Sequence, residues 1–350
     1  MSQPSAALAA HVPLAVATRG PAVESIHYGS VAVVDREGRV LYSAGDPHAL
    51  TFTRSALKPV QALPFVAAGG VHRFRFATEQ VALLCASHSG EPRHTDAVAD
   101  MLAKAGSSAA DLQCGTHAPG FYEARGEIPP PPPYSPLAHN CSGKHAGMLA
   151  YCAMCGHSKV DYLSLDHPLQ QAIRAAVSRF TGISAENLVA GIDGCSAPNY
   201  AVPLSGLARA YARLASPDAD SPYGDAPQTL AHAMSAHPEM VSGERRSDLA
   251  LMRAGRGDWV TKIGAEGVQA IGTRSSGLGI AIKVADGQKR GLYPAVVGVL
   301  DALGLLDRCA ADALASWGHP DLRNYRGIRT GDVQKVLVLD KSQAQRPSAK

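Results

Sequence analysis

The chain has 350 residues, 46% of them hydrophobic, enough apolar material to fill a sizeable core, and its 33 basic against 30 acidic residues leave a formal charge of +3. No basic run or aromatic-interleaved Lys/Arg stripe supplies the electrostatic footprint that nucleic acid or an anionic membrane demands, so neither is expected as a partner. Seven cysteines form an odd set in a chain of this length, which fits the reduced thiols of a cytoplasmic protein better than a secreted disulfide framework.

At the start, Pro4 and Pro13 interrupt short apolar stretches that no Lys or Arg precedes. Neither a signal peptide nor a membrane span is expected there, and residues 1–18 read as a flexible N-terminus. A single domain follows over residues 19–340, with a flexible tail over 341–350. Residues 31–35 and 39–44 flank an Arg-Glu-Gly turn and read as a β-hairpin. Apolar periodicity then predicts helices over residues 55–66, 95–105, 168–180, 203–214, 228–237 and 294–303. The proline run at 129–133 reads as a rigid loop, and residues 278–284 with 291–293, around Asp286-Gly287, read as a second hairpin. Strands at both ends with helices between them predict an α+β fold: one antiparallel sheet assembled from both termini, with a helical subdomain beside it. No G-x-G-x-x-G or P-loop follows a strand, which argues against a nucleotide cofactor.

The first chemical motif is Thr53-Arg54-Ser55-Ala56-Leu57-Lys58-Pro59. A spacing of three puts Ser55 and Lys58 on one face of a helix, and a buried lysine can take the proton that makes a serine nucleophilic. Alone, the spacing equally fits an N-capping serine beside a solvated lysine. Next, the apolar run ending in Cys85-Ala86-Ser87-His88-Ser89-Gly90-Glu91 empties into small and polar residues. Far downstream Lys262 stands in Thr261-Lys262-Ile263-Gly264. Penicillin-recognising serine enzymes carry a nucleophile S-x-x-K, a second serine motif and a late K-T-G in this order.

Between these lies His139-Asn140-Cys141-Ser142-Gly143-Lys144-His145, and a second thiol, Cys195, sits in the glycine-flanked turn Asp193-Gly194-Cys195. Two thiolates and a nitrogen donor can hold a zinc ion. By ordinary donor chemistry the nitrogen would come from His139 or His145, because Lys144 ligates only as the neutral amine. Cys152 and Cys155 have redox spacing but lie in an apolar helical stretch without a second pair, and they read as packing thiols.

Taken together, these motifs resemble the Rhizobium-type L-asparaginases, the asparaginase II family, over nearly the whole chain from Arg19-Gly20 to Lys262-Ile263-Gly264-Ala265-Glu266-Gly267. The resemblance implies a fold similar to serine β-lactamases and glutaminases, usually as a homodimer. It implies two Ser-Lys tandems in one pocket, Ser55 with Lys58 and Ser87 with Lys262, and a zinc site of Cys141, Lys144 and Cys195 that assists substrate binding. Asp193 and His145 would line the same region. Arg54 can hold the substrate α-carboxylate bidentately, and an outward, structural role fits its place beside the nucleophile equally well. The expected reaction is hydrolysis of L-asparagine to L-aspartate and ammonia, with Ser55 as nucleophile and Lys58 as base; a Ser87 activated by Lys262 is open by the same logic. A glutaminase or other amidase on the same fold is the alternative; a cysteine-based zinc or redox sensor is the non-enzyme reading.

Overall fold

The computed structural model describes residues 8–218 and 220–342. Positions 1–7 and 343–350 of the expected flexible termini lie outside the described residues.

Among the described residues there are twelve strands: β1 (Val12–Arg19), β2 (Ala22–Val34), β3 (Val40–Ala44), β4 (Leu50–Phe52), β5 (Val189–Ile192), β6 (Pro198–Pro203), β7 (Trp259–Gly264), β8 (Val268–Thr273), β9 (Gly279–Val284), β10 (Asp321–Arg323), β11 (Arg329–Lys335) and β12 (Asp340–Lys341). Nine of them form one sheet in the order β10-β11-β1-β2-β9-β8-β7, with β3 on β2 and β12 on β3. Every pairing is antiparallel. The long β2 organises the sheet: its first half pairs with β1, and its second half pairs with β3 and with β9, Gly29 opposite Val284. The expected α+β sheet built from both ends of the chain is therefore what forms. Strands β4, β6 and β5 make a separate three-stranded sheet.

Both faces of the large sheet are covered, and the period of two along its strands sorts side chains between two cores. Val31 and Val33 of β2 join Ile280 and Ile282 of β9 against the helices Lys289–Ala302 and Arg308–Gly318. Ala32 and Val34 point the other way, into a larger core with the helices Lys58–Ala67, Thr78–Leu84, Ser142–Cys155, Pro168–Thr181 and Leu204–Ala215. Helix Leu204–Ala215 lies so close to the sheet that a Cβ on Gly279 would meet the Ala208 carbonyl, and one on Gly272 would collide with the Tyr211 carbonyl. Glycine at these two strand positions is what lets the helix backbone approach.

The six expected helices appear with shifted ends, as Lys58–Ala67, Pro92–Lys104, Pro168–Thr181, Leu204–Ala215, Ala226–Ala236 and Lys289–Ala302. Three expectations are corrected. Residues 12–18 are not a loose terminus but most of β1, where Pro13 is accommodated at a bulge in the pairing with β2. Residues 291–293 are not a hairpin arm. They open helix Lys289–Ala302, whose Leu292, Val296 and Val299 pack under the sheet; three apolar residues are too few for periodicity to separate strand from helix. Lys341, placed in the tail, pairs with Tyr42 in the β12–β3 contact. Among the described residues, no helix is long and apolar enough to cross a membrane.

Candidate active site

The site lies where β7 faces the helical subdomain and three chain segments converge. The first is a 3-10 turn, Arg54–Leu57, that runs directly into helix Lys58–Ala67. Its first residue, Arg54, has φ 48°, a left-handed conformation that costs a side-chain-bearing residue about 1–2 kcal/mol and persists only when its surroundings over-determine it. Asn199 of β6 does so: its Oδ1 accepts from the Arg54 N–H at 3.0 Å, and its Nδ2 donates to the Arg54 carbonyl at 3.0 Å. With the backbone so fixed, the Arg54 guanidinium donates to Asp193 Oδ1 at 2.9 Å. Asp193 itself begins the tight β5–β6 turn, in which Ser196 is also left-handed, φ 67°, and the Asp193 N–H donates to the Ala197 carbonyl at 3.0 Å. Arg54, Asp193 and Asn199 form part of the wall of an open cavity of ≈ 440 Å³, with Phe52, Glu266 and Lys283 on other sides. That volume suits a small polar metabolite.

The second segment is residues 85–91, after helix Thr78–Leu84. Lys58, fully buried, reaches across to it. Its Nζ donates to the Ser87 hydroxyl at 2.9 Å, to the Ala86 carbonyl at 2.5 Å and to the Asn140 carbonyl at 3.4 Å. Three acceptors around one nitrogen are the complement of an ammonium. The loop is stiffened by His88, whose Nδ1 accepts from the Gly90 N–H at 3.1 Å. The His88 Nε2 meets Ser142 Oγ at 2.9 Å, and that hydroxyl already donates to the Leu137 carbonyl, so Nε2 carries the hydrogen. His88 is thus a neutral strut, and burial pushes its pKa well down.

The third segment opens helix Ser142–Cys155, whose first turn is entirely buried. A Cβ on Gly143 would stand 2.5 Å from the Leu83 carbonyl, so only glycine lets this turn press against the end of helix Thr78–Leu84 and deliver Asn140 to Lys58. Lys144 Nζ donates to Cys195 Sγ at 3.0 Å. The neighbouring Cys141 thiol, the Lys144 cation and His145 drive the Cys195 pKa far down, to the thiolate, while the Cys141 Sγ itself lies 3.1 Å from Asn140 Oδ1 as donor. Burial opposes the charge on Lys144, but the Cys195 and Cys141 sulfurs outweigh it and its pKa rises. His145 Nδ1 lies 2.7 Å from the Tyr162 hydroxyl, while its Nε2 is buried without a hydrogen-bond partner; burial lowers its pKa to about 4.

Among the described residues no three His, Cys, Asp or Glu side chains are gathered for a metal. The two sulfurs of Cys141 and Cys195 with the nitrogen of Lys144 nevertheless form a soft S2N donor set of the kind a zinc ion takes, once the ion displaces the Lys144 proton. The residues therefore fit the implied group, with the orphaned His145 Nε2 beside it. Cys152 packs in the core as expected, whereas Cys155 is exposed at the helix end.

The structure thus brings Arg54 to Asp193, Lys58 to Ser87, and Lys144 to Cys195. Among the described residues it makes no side-chain hydrogen bond between Ser55 and Lys58, whose only link is the Lys58 N–H on the Ser55 carbonyl, and none between Ser87 and Lys262. Lys262 instead donates to Asp248 Oδ2 at 3.3 Å and to the Ile263 carbonyl at 2.9 Å. Burial, with Lys58 nearby, lowers its pKa to about 8 although Asp248 works the other way. Asn199, Asp248 and the Asn140 carbonyl escaped the motif reading, since an isolated Asn, an isolated Asp and a backbone oxygen carry no pattern. Only Asn140 had a signal, its place inside the His139–His145 cluster.

A family model described as L-asparaginase II matches residues 15–335. Among solved structures, a beta-lactamase from Mycobacterium bovis is 14% identical, covering 83% of this chain and 95% of that one, with a TM-score of 0.39. A candidate beta-lactamase from Bacteroides dorei is 13% identical, covering 78% and 93%, with a TM-score of 0.42. No curated protein matches the chain in sequence.

Proposed function

The chain belongs to the L-asparaginase II family, hence to hydrolases that act on amides, and from that premise we propose that it hydrolyses the side-chain amide of L-asparagine to L-aspartate and ammonia by Ser-Lys chemistry. The observation that carries the reading is the 2.9 Å hydrogen bond from buried Lys58 to Ser87, a serine and its base already in contact. Ser55 is only half-buried and follows directly on Arg54, whereas Ser87 is 4% exposed. Substrate held by its charged end groups on Arg54 and Asp193 would therefore present its amide to Ser55, with Ser87 between that hydroxyl and Lys58 as the proton relay.

In the forward step, Ser55 Oγ forms a bond to the amide carbon while its proton passes through Ser87 to the neutral form of Lys58. The same proton is returned to the leaving nitrogen as the C–N bond breaks, and ammonia departs. Water then attacks the resulting β-aspartyl ester, giving a proton to the same base; the ester C–O bond breaks as that proton returns through Ser87 to Ser55 Oγ, and L-aspartate leaves with the water oxygen. Proton transfer of this kind is worth roughly 10²–10⁴-fold in rate. Zinc on Cys141, Lys144 and Cys195 would supply a Lewis-acidic handle for orienting substrate. The two sulfurs and the Lys144 amine would hold it, with Asp193 and His145 bordering it. A homodimer in the cytoplasm completes the proposal, resting on the family resemblance and the odd cysteine count.

A second reading is favoured by the same contact: Ser87, the hydroxyl that touches Lys58, is itself the nucleophile. Ammonia release from L-asparagine, L-glutamine and a β-lactam tests the substrate, with Ser55→Ala and Ser87→Ala in parallel. Asparagine turnover by the parent supports the proposal, and activity confined to glutamine or a β-lactam overturns the substrate. Acid-quenched protein digested for mass spectrometry then locates the β-aspartyl ester. An ester on the Ser87 peptide transfers the nucleophile's role to Ser87.

A further inference from the structure

Asp248 stands at the second position of helix Ser247–Ala254 and is wholly buried, as is Lys262 on β7. Its carboxylate is saturated with donors. Oδ1 accepts from Thr261 Oγ1 at 2.8 Å and from Gln269 Nε2 at 3.0 Å; Oδ2 accepts from the Ile263 N–H at 3.0 Å and from Lys262 Nζ at 3.3 Å. Burial alone would raise the Asp248 pKa, but the Lys262 cation and these hydrogen bonds outweigh it and hold the acid ionised. Lys262 has two of its three N–H directions assigned, to Asp248 and to the Ile263 carbonyl; the third has no partner among the described residues.

Lys58 lies near enough for its charge to act on Lys262. Two buried ammonium groups repel, so Lys262 keeps its charge only through an anion in contact with it. Lys58 is met only by neutral acceptors, two carbonyls and the Ser87 hydroxyl. Lys262 is met by a carboxylate. The other charged or titratable groups around Lys262 and Asp248 are Arg246, two residues ahead of Asp248, Cys85 at the end of helix Thr78–Leu84, Tyr211 of helix Leu204–Ala215 and Tyr293 of helix Lys289–Ala302. Burial holds Cys85 at about 12 and raises both tyrosines, so around neutral pH none of them supplies a second anion.

We infer that Asp248 is a positioning residue: its carboxylate fixes Lys262 in one place on β7 and supports its positive charge beside the Ser-Lys relay. This rests on the reading that both lysines serve the amide hydrolysis. The free N–H of Lys262 is then available to the relay hydroxyl or to charge developing on the substrate.

The test pairs a titration that needs no turnover with a rate measurement. In protein carrying ¹³C-labelled lysine, the Lys262 resonance is assigned from its absence in Lys262→Met and followed against pH in the parent and in Asp248→Asn. Loss of the anion destabilises the ammonium, so the midpoint should fall from about 8 by at least about one unit. The alkaline limb of kcat should move down with it, kcat near neutral pH should drop about tenfold or more with KM little changed, and Asp248→Glu should recover part of the loss. An unmoved midpoint overturns the inference. Absence of asparagine turnover in the parent would instead overturn the functional reading, and the titration would still stand. If Asp248→Asn does not fold, the double variant Asp248→Asn/Lys262→Met, which leaves no unpaired buried charge, is compared with Lys262→Met alone. Equal kcat supports action through Lys262, and a further fall refutes it.

Discussion

Lys144 and Lys262 are both buried lysines within the same cluster of motifs, one in the first turn of helix Ser142–Cys155 and the other on β7. Desolvation disfavours the charge on each. Around Lys144 two sulfurs overcome it and the pKa rises; around Lys262 one carboxylate does not, because Lys58 adds repulsion, and the pKa falls to about 8. The same side chain thus becomes a firmly held cation in one place and a titratable one in the other. What differs is the charge count of its neighbours, not the depth of burial.

The comparison breaks most visibly in kinetics. Lys262→Met should lower kcat for ammonia release by roughly 10²–10³-fold with KM little changed. Lys144→Met should act chiefly on KM and on zinc affinity. Steady-state kinetics alongside zinc titration separates the two, and equal kcat losses would mean that the lysines share one task. A smaller effect falls on stability. Cys195→Ala removes the thiolate that Lys144 bonds at 3.0 Å and leaves a buried cation poorly compensated, at a cost of about 3–5 kcal/mol. Urea unfolding measures it, and a loss below about 1 kcal/mol would show that the sulfur pocket is not an ion pair. The smallest expected effect lies outside both lysines. Asn199→Ala deletes two hydrogen bonds that hold Arg54 at φ 48°, which should cost about 1–3 kcal/mol in stability and raise KM through a loosened Arg54–Asp193 pair. Unchanged KM would sever that pair from substrate binding.

Much of this was legible in the residue string. The Ser55/Lys58, Ser87, Cys141/Lys144 and Cys195 motifs are each local, and all but Ser55 make at least one of the contacts described here. Pro13 concealed β1, because the bulge that tolerates a proline there exists only once β2 lies alongside. The strand read at residues 291–293 failed for lack of length, not for lack of hydrophobicity.

The sequence alone determined which chemical groups the protein owns, where its longer helices run and that its sheet draws on both ends of the chain. Those facts follow from periodicity, from turn chemistry and from groups a few residues apart. Tertiary structure alone decided the pairings: Lys58 with Ser87 across 29 positions, Lys262 with Asp248 across 14, Arg54 with Asp193 across 139 and with Asn199 across 145. A buried charge is governed by whatever lies within a few ångströms in space, and a spacing rule reaches no further than the next helical turn or the next strand residue.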